Sequence, residues 1–341
     1  MGILSSETPL EVDQNAEILV TGATGFTGGH LARTLASRGQ AVRALVRDCR
    51  RAAHLQALGV ELAYGDLLDP VSLKQAMFGI DTVYHIAATF REEKISEETM
   101  WATNAQGVQY MLDAAVGAGV RRFVHCSTVG VHGEIENPPA DENAPYKPED
   151  RYQESKVAGE KIALDYMRRG KLPVVIVRPA GIYGPGDTRF LKLFKAVKWG
   201  YFVMLGSGKV LYQLVYIDDL VDGIILCGTV ANAVGNVYIL TGEPAVTLTQ
   251  LMAGIAEAVG TSQRRLWFPI TPVYLAAYVC ELVCRPLGIE PPLYRRRVDF
   301  FRKDRAFSIE KARRELGFVP KVDLKAGLKR TAEWYEAQGL M

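Results

Sequence analysis

EILVTGATGFTGGH, residues 17–30, decides the fold: a short apolar run meets a glycine-rich turn that leads into LARTLASRG. EILVT (17–21) reads as a brief buried strand, and the apolar residues beyond the glycines return at helical spacing. The order is strand, glycine turn, helix. Gly22, Gly25 and Gly28 stand at the spacing G-x-x-G-x-x-G. Such a turn takes backbone angles closed to other residues, and a pyrophosphate must approach its main chain closely. A helix beginning near Phe26 would point its unpaired N–H groups and positive dipole end at that pyrophosphate. A glycine triplet alone is weak, but one that follows a strand, opens a helix and heads a run of alternating units marks a dinucleotide site. Gly22, Thr24, Gly25, Phe26, Thr27 and Gly28 are its expected lining.

The alternation continues through AVRALV (41–46), a helix near 50–58, VELAYGD (60–66) and a helix over 70–78. TVYHIAA (82–88), a helix over about 99–117, RRFVHCS (121–127), a helix over 153–169 and PVVIVRP (173–179) complete it. Units of this length imply a parallel sheet covered on both faces, an α/β, Rossmann doubly wound fold. PAGIYGPGD (179–187) ends the pattern. LVYIDDLVDGIILC (214–227) reads as a strand and a helix N-capped by Asp218 or Asp219, and NVYIL (236–240) as a strand returning to the sheet. The expected organisation is a flexible leader over 1–16, an NAD(P)-binding Rossmann domain over 17–180 with about 212–241, and a smaller, mainly helical C-terminal substrate-binding domain built from 181–211 and 242–341.

Forty basic residues nearly cancel 38 acidic ones, so a net charge of +2 gives no general attraction to nucleic acid, and any anion site must be local. Five cysteines, at 49, 126, 227, 280 and 284, form no CxxC pair and fit a reduced, cytoplasmic chain in which they act as small buried hydrophobes. Cys280 and Cys284 lie one turn apart without a histidine partner, and no metal is expected. No secretory signal opens the chain; MGILSS matches a loose myristoylation pattern but reads as a disordered polar leader. The most apolar stretch is LWFPITPVYLAAYVCELVCRP (266–286). Pro269, Pro272 and Glu281 leave an uninterrupted run of eight residues, against the roughly 20 that a membrane span needs. Three readings stay open for it: a core helix, the wall of an apolar substrate pocket, or peripheral contact with a membrane surface.

Tyr152 and Lys156, in RYQESKVAGEK, are four apart and share one face of a helix. A phenol is a poor base at neutral pH, but a neighbouring ammonium favours its phenolate, so the pair can move a proton to or from a substrate oxygen. Lys156 would also bond the nicotinamide ribose. A hydroxyl must hold the substrate oxygen from the other side, and the strand end RRFVHCST offers Thr128 and Ser127, which cannot both point into the site. A carboxylate at the end of the second strand would bond the ribose hydroxyls of NAD; Arg47 stands there instead, with Arg50 and Arg51 near, and suits a 2′-phosphate. NADP(H) is therefore favoured, and Asp48 keeps NAD(H) open. Asp66, with Leu67 beside it, is placed for the adenine, and Ala87 and Ala88 are small enough for the chain to run against the ribose.

In this order the motifs resemble the extended short-chain dehydrogenase/reductases, also called the NAD-dependent epimerase/dehydratase family. TGATGFTG matches the glycine motif, HIAA (85–88) the central strand, CSTVGVHG (126–133) the hydroxyl strand, YQESK the catalytic pair, and RPAGIYGPGD the signature after the sixth strand. The resemblance covers 17–241 and the tail RAFSIEKARRELGFVP (305–320). It implies Thr128 as the catalytic hydroxyl, a structural or cofactor-supporting role for Asn104, and Pro179, Ala180 and Ile182 near the nicotinamide. RALVRD around Arg47 is similar to the NADP-using dihydroflavonol reductases, and the apolar 266–286 stretch followed by PPLYRRRV to the 3β-hydroxysteroid dehydrogenases. Sugar-nucleotide enzymes of the family carry an arginine in the segment matching GKVLYQLVYIDD; this chain has Tyr212 and then Gln213. The basic run YRRRVDFFRKDR (294–305) reads first as a solvated basic face; it could also hold a diphosphate or another anionic group, or meet lipid headgroups beside the apolar stretch. The leading expectation is hydride transfer between nicotinamide and a secondary alcohol or ketone of a bulky, apolar small molecule. A nucleotide-sugar epimerase with tightly bound NAD is the alternative, and a non-catalytic NADP sensor the third. The family habit implies a homodimer through the helices near 99–117 and 153–169.

Overall fold

A computed structural model of the chain describes residues 17–90, 95–262, 266–287, 289 and 291–341; the expected leader lies outside them. Seven strands form the central sheet: β1 (Ile18–Thr21), β2 (Val42–Val46), β3 (Glu61–Tyr64), β4 (Thr82–His85), β5 (Arg122–Cys126), β6 (Val174–Pro179) and β7 (Val237–Leu240). Their order is β7-β6-β5-β4-β1-β2-β3, parallel at every pairing. The order reverses between β1 and β4, the place where such a sheet opens a crevice at its carboxyl ends. Strands this apolar need cover on both sides. The pleat sends Ile18 and Val20 into one core and Leu19 into the other.

Helix α1 (Phe26–Ser37) covers the first face, and α2 (Pro70–Ala76), α3 (Gly107–Ala118) and α4 (Arg151–Arg168) cover the second. The helix expected over 99–117 is broken: a short helix, Glu97–Trp101, passes through a wide π turn at Ala102–Gln106 before α3 begins. The second half of the chain adds α5 (Leu191–Lys198), α6 (Ile217–Thr229), α7 (Leu248–Ala258), α8 (Ile270–Cys284) and α9 (Leu324–Ala337). Asp218 and Asp219 do not cap α6; Tyr216 is the N-cap residue. Asp219 instead accepts from the backbone N–H groups of Lys321 (2.9 Å) and Val322 (3.1 Å), tying the C-terminal segment to α6.

Short strand pairs lie outside the main sheet: Gly181–Tyr183 with Leu214–Tyr216, Leu211–Tyr212 with Val246–Thr247, and Val203–Leu205 with Leu266–Phe268. The core reading of the 266–286 stretch is overturned. Of the fifteen residues of α8 only Ala277 and Glu281 are buried, and Leu266, Trp267 and Phe268 are all exposed. Among the described residues no helix is long and apolar enough to cross a membrane.

Candidate active site

Gly22 has φ +73°, and a Cβ there would fall 2.9 Å from the backbone N and Cα of Ala87. Glycine is thus required both by the angle and by the contact between the first turn and the loop after β4. A Cβ on Gly28 would meet the Gly22 carbonyl oxygen at 2.3 Å, so Gly28 seats α1 against the turn rather than lining it. Gly25 is the N-cap residue of α1 and brings no side chain to the cap, while Thr24 and Gly25 are exposed and no acid stands in the first turn of α1. Open backbone donors at the positive end of a helix, in a cradle that a Cβ would fill, fit the pyrophosphate of a dinucleotide. Thr21 locks the crevice: its hydroxyl accepts from Ala87 N (3.1 Å) and bonds His85 Nδ1 (3.0 Å).

At the far end of β2 the Arg47 side chain is 80% exposed, with its guanidinium 3.9 Å from Asp66. Asp48 is committed elsewhere. Its carboxylate accepts from Arg50 N (3.0 Å) and Arg50 Nε (3.3 Å), and the backbone bond first, then the guanidinium, holds its carboxyl below the ordinary range. Asp66 accepts from Leu68 N (2.9 Å), Leu67 is buried against Gly107, and Ala87 and Ala88 line the loop after β4.

Helix α4 starts one residue before Tyr152, capped by the Asp150 carboxylate, which accepts from Gln153 N (2.9 Å). The ring of Tyr152 is half-buried and meets Phe90 edge to face, with centroids 5.1 Å apart. One turn on, Lys156 is buried and donates from Nζ to the Cys126 carbonyl (2.8 Å) at the end of β5. Burial pushes its ammonium below the usual lysine value, against the opposing pull of Cys126 and Glu160. Thr128, two residues beyond Cys126, is the N-cap of the turn Val129–His132; its Oγ1 accepts from Gly130 N (3.1 Å), which leaves the hydroxyl proton to donate. The helix of Tyr152 and the strand that leads to Thr128 therefore meet at the carboxyl end of the sheet.

Ser127 corrects the sequence expectation. Its hydroxyl is buried and donates to Glu160 on α4. Glu160 also accepts from Tyr146 (2.7 Å) and from Arg178 Nε (3.0 Å) and Nη2 (2.5 Å). Burial raises the carboxyl's pKa, but the Arg178 pair and the two hydroxyls outweigh it and hold Glu160 below its usual value. Arg178 further donates to the Glu142 carbonyl (2.8 Å) and bonds His132 Nε2 (3.1 Å). Sequence reasoning missed this network, although an arginine inside the apolar strand VVIVRP had signalled it.

Asn104 sits in the π turn and pins the loop before Tyr152's neighbour Phe90. Its carbonyl accepts from Thr89 N (2.8 Å), and its amide donates to Thr89 O (2.9 Å) and Ser155 Oγ (3.0 Å); Ser155 Oγ donates in turn to Tyr152 O (2.8 Å). Pro179 and Ala180 are buried where β6 ends, and Ile182 lies in the following strand. The Ile182 carbonyl accepts from Arg189 Nη2 (2.8 Å), whose guanidinium lies over the rings of Phe26 and Phe90. Tyr212 packs edge to face on Phe300 (5.3 Å), and Gln213 spends its amide on Gly242 O (2.8 Å) and Phe307 N (2.6 Å).

The sequence profile of the NAD dependent epimerase/dehydratase family matches residues 18–240. The chain is 30% identical over 329 residues to sterol demethylase protein B of Methylococcus capsulatus, covering 95% of this chain and 99% of that protein. Among solved structures, gox2253 superposes with a TM-score of 0.84 at 32% identity, over 96% of this chain and all of that one. The UDP-glucuronic acid 4-epimerase of Bacillus cereus, in complex with NAD, has a TM-score of 0.75 at 24% identity, over 95% of this chain and all of that one, a likeness of fold.

Proposed function

The chain belongs to the NAD dependent epimerase/dehydratase family, and from that premise we propose that it is an NADP(H)-preferring oxidoreductase acting on a secondary alcohol or ketone of a bulky, largely apolar molecule. When bound, the nicotinamide supplies hydride to the carbonyl carbon or takes it from the carbinol carbon. Tyr152 gives the substrate oxygen its proton in the first direction and removes it in the second. Thr128 donates to the same oxygen and fixes its place. Lys156 favours the phenolate when Tyr152 has given up its proton.

The observation that carries this reading is the bond from Lys156 to the Cys126 carbonyl, which ties the helix of Tyr152 to the strand end of Thr128, at the same edge of the sheet as the glycine turn. Two further contacts support the finer assignments. Asp48 is occupied by Arg50 while Arg47 stands exposed, which favours a 2′-phosphate. Tyr212 and Phe300 put aromatic surface where a diphosphate would need a cation, and the sterol-related relative points the same way. Oxidation of NADPH by the purified chain over a panel of sterol, terpenoid and flavonoid ketones tests it. Turnover with NADPH well above that with NADH, lost in Tyr152→Phe, is expected. Interconversion of a UDP-sugar with NAD retained through purification would replace this reading by the epimerase one.

A further inference from the structure

A helix apolar on every side is ordinarily sunk in a protein core or in lipid. Among the described residues nothing covers most of helix α8, and it is not patterned for water: Leu275 is 60% exposed and Leu282 61%, and Tyr278, Val279 and Val283 are exposed with them. The surface continues into Leu266, Trp267 and Phe268 and, through the strand paired with them, to Val203, Tyr201 and Trp199. An apolar surface of this extent marks a docking site rather than ordinary scatter.

Charge says what docks there. Segments 191–205, 266–284 and 291–305, which carry the patch and its rim, hold nine basic and three acidic residues, a formal +6 on a chain whose total is +2. The cations stand beside the patch's own aromatic rings: Lys195 over Trp199 (5.5 Å), Arg295 over Tyr278 (5.0 Å) and Arg302 over Tyr274 (4.1 Å). Glu281, the one acid of α8, is buried and paired with Arg295 (3.0 Å). Two copies brought together on this face would set like charge against like. Apolar side chains ringed by tyrosine, tryptophan and cations match the boundary of an anionic bilayer.

We propose that this face docks the protein on the surface of a membrane rich in anionic lipid, with α8 and the Leu266–Phe268 strand entering the headgroup layer without crossing it. At fifteen residues, about 22 Å long, α8 is too short to span. The patch adjoins the candidate active site. Arg296 lies 3.8 Å from Asp150, which caps the helix of Tyr152, and Lys303 lies 2.5 Å from Glu149. If the apolar-substrate reading holds, docking sets the mouth of the site against the lipid in which such a substrate dissolves; the docking itself does not depend on that reading.

Flotation of the purified full chain with vesicles tests it, with no turnover required. Vesicles of two parts phosphatidylcholine to one part phosphatidylglycerol should carry the protein, and high salt or phosphatidylcholine alone should weaken this at least about tenfold. Leu275→Glu with Leu282→Glu should remove about tenfold per leucine, while NADPH binding and melting temperature, read on the same samples, stay at wild-type levels. No flotation with the mixed vesicles overturns the proposal. Equal flotation with both vesicle types overturns the role of anionic lipid. A dimer in light scattering that the double variant splits, without flotation, assigns the face to a second copy instead.

Discussion

At the level of single residues, two adjacent hydroxyls have opposite fates. The sequence places Ser127 and Thr128 side by side at a strand end and cannot orient them, because the orientation depends on Glu160, a helix face away. Because Ser127 donates its hydrogen bond to Glu160, Thr128 is the one of the two hydroxyls left to donate to a substrate. Each hydroxyl also fixes a neighbour, so Ser127→Ala and Thr128→Val should each lower stability by about 1–2 kcal/mol in urea titrations. Only Thr128→Val should also lower kcat, by roughly tenfold or more, because it alone removes a donor from the reacting oxygen. A loss of kcat with Ser127→Ala at unchanged helix content, and none with Thr128→Val, would reverse the two assignments. The same logic governs Arg47. Its side chain is largely exposed, so Arg47→Ser should leave stability within about 0.5 kcal/mol. It should also cut the preference for NADPH over NADH by about tenfold or more, read as the ratio of the two kcat/KM values.

At the level of elements, most of the fold was legible because its strands are buried on both faces and announce themselves as apolar runs between glycine turns. β1, β6 and β7 fall within a residue or two of their sequence bounds for that reason. The π turn at Ala102–Gln106 was not legible. Its residues keep helical spacing, and the widening answers a close crossing with α4 that no local pattern records. Gly159 marks the crossing: a Cβ there would fall 2.1 Å from the Asn104 carbonyl oxygen. Gly159→Ala must push α4 away from the π turn and loosen the Asn104–Ser155 bond behind Tyr152. A loss of about 1–3 kcal/mol is expected, together with a fall in kcat that exceeds any change in NADPH affinity. Gly117, in α3, provides the contrast, because nothing lies within 4 Å of its added Cβ. Gly117→Ala should stabilise by about 0.5–1 kcal/mol and leave kcat alone. Equal effects of the two alanines would mean that the crossing does not position Tyr152. The exposure of α8 escaped the sequence in the opposite way, since an apolar run reads the same whether it faces a core or a membrane.

For the molecule as a whole, the groups buried beneath the crevice set how folding responds to acid. His85 and His125 stack 5.6 Å apart under Lys156 and are fully enclosed. Burial first, and the Lys156 charge second, lower His85 to about 3 and push His125 well below the ordinary 6.5. The folded rings therefore refuse protons that the unfolded chain accepts below about pH 6.5. Stability is full above that value and drains as pH falls, each ring removing about 1.4 kcal/mol per pH unit. Glu160 adds to the loss only below its unfolded value of 4.5, because its own folded pKa is depressed. His125 isolates one ring's share, since both its nitrogens are buried without a hydrogen-bond partner among the described residues. His125→Phe removes two unsatisfied polar atoms and the titration together, so it should be neutral or stabilising at pH 7. Its advantage over the wild type should grow by about 2 kcal/mol between pH 7 and pH 5, the span over which the unfolded histidine charges. Urea titrations of both proteins at the two pH values measure that growth directly. A constant difference would mean that His125 takes up a proton in the folded state, and that the space beneath Lys156 is wetter than its enclosure implies.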